Sequence, residues 1–267
     1  MSDKMRKVLV VGATGSIGRL VVAEAQRKGF DVRALVRDAG RGRQFGHKVE
    51  LAIGDLTNTD SLKAAVEDID AVIFTHGSDG GGKIGAETVD YGGVRNILAL
   101  INRNDVRIAL MTAIGVTNRT GSYNLATESH DWKRRAERLV RASGLSYTIV
   151  RPGWFDYNDA NQHKLVFLQG DKRQSGTPSD GVIARQQIAE VLVASLTSEP
   201  AARKTFELVA ESGPAQPDLD VLFAELQADI GGALDAVSDT ANMPANEEPS
   251  RVTADMAEIR TKATSRH

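Results

Sequence analysis

Gly12-Ala13-Thr14-Gly15-Ser16-Ile17-Gly18 is the stretch on which the reading of this 267-residue chain turns. Its glycines are spaced GxxGxxG. Ahead of it, residues 8–11 form a continuous apolar run, the pattern of a strand covered on both faces. Behind it, Ile17, Leu20, Val21 and Ala25 share one face of a helix that Gly29 should end. A second strand over 31–36 follows. In a strand–turn–helix–strand unit such a turn serves a phosphate. Gly12 permits the tight turn, Gly15 lets the backbone approach an anion, and Gly18 lets the helix pack close to the sheet. The helix N-terminus then offers N–H groups to that anion.

The alternation continues outward. Strands are expected over 49–53, 71–74, 107–111 and 147–150, and helices over 60–66, 89–101 and 131–142, the last ended by Gly144. This order predicts an α/β fold, a doubly wound Rossmann-type parallel sheet whose ligand crevice lies at the carboxyl ends of the strands. Less regular elements follow: strands over 163–168 and 205–209, and helices over 185–196 and 219–228. Residues 1–230 are expected to form one dinucleotide-binding domain, with substrate-side elements mainly within 154–230. Residues 231–267 are poor in large apolar side chains and carry Pro244, Glu247, Glu248 and Pro249. An extended arm or partly disordered tail is expected there.

Composition narrows the function. The chain is 41% hydrophobic with a net charge of −2, so no global positive field recruits nucleic acid or an anionic membrane. It has no cysteine, which removes disulfides, thiol nucleophiles and thiolate metal ligands. The five histidines lack paired ligand spacing, so no metal is expected. The N-terminus reads as neither a signal peptide nor a membrane span. A cytoplasmic protein acting on a small molecule, as a monomer or homodimer, is expected.

The turn assigns Gly12, Thr14, Gly15, Ser16, Ile17 and Gly18 to the cofactor. The second strand decides which dinucleotide. A preference for NAD calls for an acid at its end, to hold the ribose 2′-hydroxyl. Arg37 stands there instead, with Arg41, Arg43 and Lys48 close behind. A guanidinium suits a 2′-phosphate, so NADP is expected, with NAD the alternative and Arg37 and Arg43 the candidate ligands. Asp38 is the nearest acid and reads as a turn cap. Asp55 and Leu56 follow the third strand, where Asp55 suits an adenine amino group. Thr75, His76 and Gly77 follow the fourth.

These marks resemble an atypical short-chain dehydrogenase/reductase of the NmrA-like, NAD(P)-binding group. The likeness runs from Lys7 to about Val209. It includes GATGSIG with Arg37, VDYGGVRN from Val89, AIGV from Ala113, WKRRAE from Trp132, and SGLSYTIVRPG from Ser143. The resemblance implies that Lys133 bonds the nicotinamide ribose and that Pro152, Gly153 and Trp154 border the nicotinamide. It puts Thr112 or Ala113 where catalytic members keep a serine or threonine. Of the two only Thr112 can donate to a developing oxyanion. One departure matters. The family's tyrosine, four residues before the lysine, is here Ser129, a poor general acid. Tyr91, Tyr123, Tyr157 and His130 are the other candidate proton donors. The resemblance therefore implies an NADP(H)-dependent oxidoreductase, or a dinucleotide-binding sensor or regulatory partner without turnover.

Several of the same residues have plainer roles. Trp132 reads as a core anchor, and Arg151 as a partner for Glu137. Asp90 and Asn96 suit loop and helix hydrogen bonding. Glu137 and Arg141 fit an i,i+4 pair on a solvated face. Residues 118–129 read as a mobile or irregular rim.

Overall fold

The computed structural model describes residues 7–78 and 80–266. The reading of residues 1–6 as neither signal nor anchor lies outside them. The strands are β1 (Lys7–Val11), β2 (Asp31–Val36), β3 (Glu50–Ile53), β4 (Ala71–Phe74), β5 (Arg107–Met111), β6 (Ser146–Pro152), β7 (Trp154–Phe155), β8 (Lys164–Leu168), β9 (Val182–Ile183) and β10 (Lys204–Glu211). The helices are α1 (Gly18–Arg27), α2 (Ala39–Gly42), α3 (Gly82–Gly85), α4 (Gly92–Leu100), α5 (Ser122–Thr127), α6 (Ser129–Ala142), α7 (Arg185–Ser195), α8 (Leu219–Glu225) and α9 (Ser250–Ser265).

The sheet order is β3-β2-β1-β4-β5-β6-β10-β9-β7, with β8 also on β10. From β3 through β6 to β10 every pairing is parallel. The direction of winding reverses between β1 and β4, which opens the crevice expected at their carboxyl ends. The strands β1 and β4 are apolar runs because both faces are covered. Val8, Val10 and Ile73 pack on the side of α1 and α7, while Leu9, Val11, Val72 and Phe74 pack on the side of α4, α6 and α9. Gly29 ends α1 as the sequence requires. Its φ is +84°, its N–H donates to Gln26, and the Phe30 N–H reaches back to Ala25. That is a Schellman closure, in which a left-handed glycine satisfies the last carbonyls.

Three expectations change. Residues 60–66 form two short 3-10 turns, Thr59–Leu62 and Ala64–Val66, rather than a helix. The helix expected from 89 begins earlier, with α3 and a π-helical turn, Ala86–Tyr91, running into α4. The rim at 118–129 contains α5. The buried Asn124 side chain organises it, accepting from the N–H groups of His130 and Asp131 and donating to Arg119 and Asp131.

The largest correction concerns the C-terminus. Residues 231–249 are mostly irregular chain, but 250–265 are the helix α9, whose Val252, Met256 and Ile259 are buried beside α4 and α6. Tyr91 donates to Asp255 at 2.9 Å. The Glu137–Arg141 pair does form, at 3.3 Å, but in the interior, because the arm covers α6. Arg134 and Arg138 meet Asp235 at 3.0 and 2.7 Å, Arg135 and Arg138 meet Glu248 at 2.6 Å, and Arg141 meets Asp229 at 3.1 Å. Charge that looked like a solvated face is a paired interior layer.

Candidate functional site

The phosphate turn leaves β1 at Gly12, whose φ is +82°. A Cβ there would lie 2.6 Å from the His76 backbone nitrogen, so only glycine lets β1 and β4 end side by side. A Cβ on Gly18 would come within 2.1 Å of the Gly12 carbonyl oxygen. That contact fixes the start of α1 directly under the turn. Gly15 and Ser16 are exposed, Thr14 is partly so, and Ile17 is buried as an anchor. α1 starts directly after the turn, and its Arg19 N–H donates to the Gly15 carbonyl at 3.1 Å. A glycine turn that runs into a helix N-terminus lets an anion approach the backbone closely.

Beyond the end of β2, Arg37 and Arg43 are exposed. Arg41 pairs with Asp38 at 3.3 Å, and Asp38 also caps α2 through the Arg41 N–H. Asp55 accepts from the N–H and hydroxyl of Thr57 at 2.8 and 2.7 Å. Those bonds, with the nearby charge of Arg37, hold its carboxyl below the usual range. Asn96 donates to the Leu56 carbonyl at 2.8 Å, so α4 steadies this loop.

Beyond β4, Thr75 donates to the Val11 carbonyl at 3.0 Å and Gly77 is exposed. His76 has Nε2 at 3.0 Å from the Val89 carbonyl, which fixes the proton on that nitrogen. Burial lowers its pKa, so the ring is neutral. His76 therefore acts as a strut between β4 and the π-helical turn. Nδ1 is buried without a partner.

The π-helical turn carries Asp90 toward the crevice. Its carboxylate accepts from the Ser78 N–H and hydroxyl at 3.0 and 2.8 Å and pairs with Lys133 at 2.9 Å. Lys133 and His130 stand three residues apart on α6, on one face. The His130 ring is packed against Tyr123, centroids 5.2 Å apart. Its pKa is lowered, by burial first and by the charge of Lys133 as well. Ser129, one turn before Lys133, is buried. On the far wall, Pro152 and Gly153 are buried and Trp154 is half-buried, edge-on to Tyr157. A Cβ on Gly153 would lie 2.4 Å from the Gly181 carbonyl oxygen, which makes the wall's turn glycine-dependent.

Thr112 does not fit the role expected of it. It is buried, and its hydroxyl donates to Glu137 at 2.7 Å, on the side of the interior charge layer. Its proton is engaged with a carboxylate and is not offered to a substrate oxygen. Ala113, the next residue, is half-buried. Glu137 in turn is held at a pKa of about 2: burial opposes its charge, but Arg151 and Arg141 outweigh it. The pairing of Arg151 with Glu137 stands, at 2.7 Å.

Sequence reasoning missed two contributors. Asp171 accepts from the N–H groups of Gly115 and Thr117 at 2.6 and 2.7 Å and so shapes the loop after β5. Arg185, at the start of α7, donates to the Ser16 hydroxyl at 3.1 Å and pairs with Asp156. Neither lies in a recognisable motif, and only the folded sheet brings them to the crevice.

Residues 12–199 match the NAD(P)H-binding family. Among curated proteins the chain is similar to the sanguinarine reductase of Eschscholzia californica, at 28% identity over 85% of this chain and 98% of that one. Its fold is similar to that of the oxidoreductase ylbE from Lactococcus lactis, with a TM-score of 0.63 and 16% identity over 84% of this chain and all of that one. It is also similar to a short-chain dehydrogenase/reductase from Veillonella parvula in complex with NADP, with a TM-score of 0.58 and 18% identity over 79% and 97% of the two chains. Among the described residues no helix is long and apolar enough to cross a membrane.

Proposed function

Since the chain belongs to the NAD(P)H-binding family of short-chain dehydrogenase/reductase-related Rossmann proteins, we propose that it is an NADPH-preferring oxidoreductase acting on a small molecule. When bound, the cofactor supplies the hydride. The chain supplies position and charge. Residues 12–18 hold the pyrophosphate and Arg37 the 2′-phosphate, while Lys133, anchored by Asp90, orients the nicotinamide ribose. Pro152, Gly153 and Trp154 form the wall beside it.

The observation that carries this reading is the Ser78–Asp90–Lys133 set, assembled beside the point where the sheet order reverses. A cationic side chain held at 2.9 Å by a buried carboxylate is a fixed donor at the ribose end of the crevice. The proton for a reduced substrate comes from Tyr123, packed on the neutral His130, in place of the family's tyrosine. A relative named for reduction of sanguinarine supports an aromatic substrate. The rim agrees, since Tyr123 and Tyr157 are both exposed.

A turnover screen of aromatic iminium compounds and quinones with NADPH tests the enzyme reading. Ser129→Ala should retain wild-type turnover, whereas Tyr123→Phe should lose most of it. Abolished turnover in Ser129→Ala with intact cofactor affinity would overturn the assignment of the proton donor. Calorimetry tests the cofactor. NADPH should bind at least tenfold more tightly than NADH, and Arg37→Ala should bring the two within about threefold. An unchanged ratio in that variant would remove Arg37 from the site.

The second reading is a dinucleotide-binding regulator without turnover. The engaged Thr112 hydroxyl and Ser129 in the tyrosine position favour it. Tight NADPH binding with no consumption across the screen would support it.

A further inference from the structure

Arg185 is remote in sequence from the glycine turn, yet its Nε lies 3.1 Å from the Ser16 hydroxyl oxygen. Ser16 is exposed at the mouth of the turn. The guanidinium is itself held in place. It pairs with Asp156 and lies over the Phe155 ring, 5.3 Å from its centroid. Asp156 accepts from the Arg185 backbone N–H as well, at 3.0 Å, and does so from a left-handed backbone with φ of +57°. One carboxylate thus caps α7 and orients its first side chain. An ordinary surface pair would need neither the second bond nor the unusual backbone.

We propose that Arg185 is a pyrophosphate-binding residue, a clamp that closes on the dinucleotide from the side opposite the α1 N-terminus. The inference rests on the assignment of residues 12–18 to the pyrophosphate. Three features argue for it. Ser16 belongs to the turn, so a guanidinium at hydrogen-bond distance from its hydroxyl is within reach of an anion on that turn. The planar fork keeps its remaining N–H groups for phosphate oxygens while Nε stays on Ser16. Its partner Asp156 follows directly on β7, the strand of Trp154 and Phe155. The clamp therefore ties the phosphate turn to the nicotinamide wall, and an anion that draws on Arg185 acts on both.

Arg37 and Arg185 then have separable roles. Arg37 discriminates between cofactors, while Arg185 treats them alike, because both carry the same pyrophosphate. The experiment is calorimetric titration of the full chain and of Arg185→Gln and Arg185→Lys with NADPH, NADH and adenosine 2′-phosphate, which has no pyrophosphate. Arg185→Gln should weaken NADPH and NADH by a common factor of about tenfold or more, the loss of one charge-assisted contact. Its affinity for adenosine 2′-phosphate should not change. Arg185→Lys, which keeps the charge but not the fork, should lose less.

Wild-type affinity of Arg185→Gln for both dinucleotides would overturn the proposal and leave the phosphate turn intact. An equal loss for adenosine 2′-phosphate would also overturn it, since it would signify general damage to the site. Failure of the unsubstituted chain to bind either dinucleotide would bring down the assignment of the turn, and the clamp with it.

Discussion

Arg151→Met should cost about 3–5 kcal/mol of stability, the usual consequence of removing one partner from a buried ion pair. Arg151 has no exposed surface. It bonds Glu137 at 3.0 and 2.7 Å and Asp239 at 2.8 and 2.7 Å, with Glu207 at 3.3 Å. Methionine fills much of the space but leaves Asp239 and part of Glu137 uncompensated in the interior. Urea denaturation at neutral pH reads the effect as a lower midpoint at unchanged slope. A loss below about 1 kcal/mol would mean that water reaches these carboxylates and that the layer is not the closed interior described. The variant Arg151→Met/Asp239→Leu should recover part of the loss, because an apolar replacement of both partners removes the stranded charge.

Glu207 gives the second large effect, and its sign is opposite to that of most carboxylates. Burial pushes its pKa from 4.5 up to about 7, and Asp171 and Asp239 add to the rise. Arg151, 3.3 Å away, is the largest influence opposing the rise, but burial outweighs it. Between about pH 4.5 and 7 the folded chain keeps a proton on Glu207 that the unfolded chain releases. Folding therefore binds a proton, and stability falls as pH rises through that interval, by about 3 kcal/mol for this group. Glu137 acts in the other direction. Its contribution is present above pH 4.5 and is lost as pH falls toward 2. Glu207→Gln should abolish the loss between pH 5 and 7.5, measured as the difference in unfolding free energy from the unsubstituted chain at each pH. An identical pH slope in the two proteins would show that Glu207 does not titrate there.

This carboxyl also touches the site. It accepts the Asp171 N–H at 3.1 Å, and Asp171 shapes the loop after β5.

The parts of the fold legible in the sequence are those fixed by local rules. The run before Gly12 is apolar because β1 is covered on both faces, and Gly29 sits where a helix needs a left-handed residue. The place of Arg37, just past β2, was legible because the end of that strand is a defined place in a strand–turn–helix–strand unit. What escaped depends on distant pairing. Residues 231–267 look too polar to pack, yet they pack through paired charge as well as through the apolar face of α9. Asp229, Asp235, Asp239 and Glu248 match arginines about 90 to 110 positions earlier in the chain. No periodicity announces such a match. The same holds for Thr112, whose position in the sequence resembles a catalytic one while its hydroxyl donates to Glu137 on a neighbouring helix. Arg185 and Asp156 are likewise ordinary residues until β7 and α7 bring them to Ser16.

The paired layer over α6 also sets an order of events during synthesis. A ribosome delivers the sheet strands and α6 first, and the arm last. Until residues 229–248 emerge, Arg134 lacks Asp235, Arg138 lacks Asp235 and Glu248, Arg141 lacks Asp229 and Arg151 lacks Asp239. A nascent chain in that state cannot close its interior around them. The acidic arm thus works as a completion signal, in that a product cut short before Asp229 leaves these arginines short of the partners that close the layer.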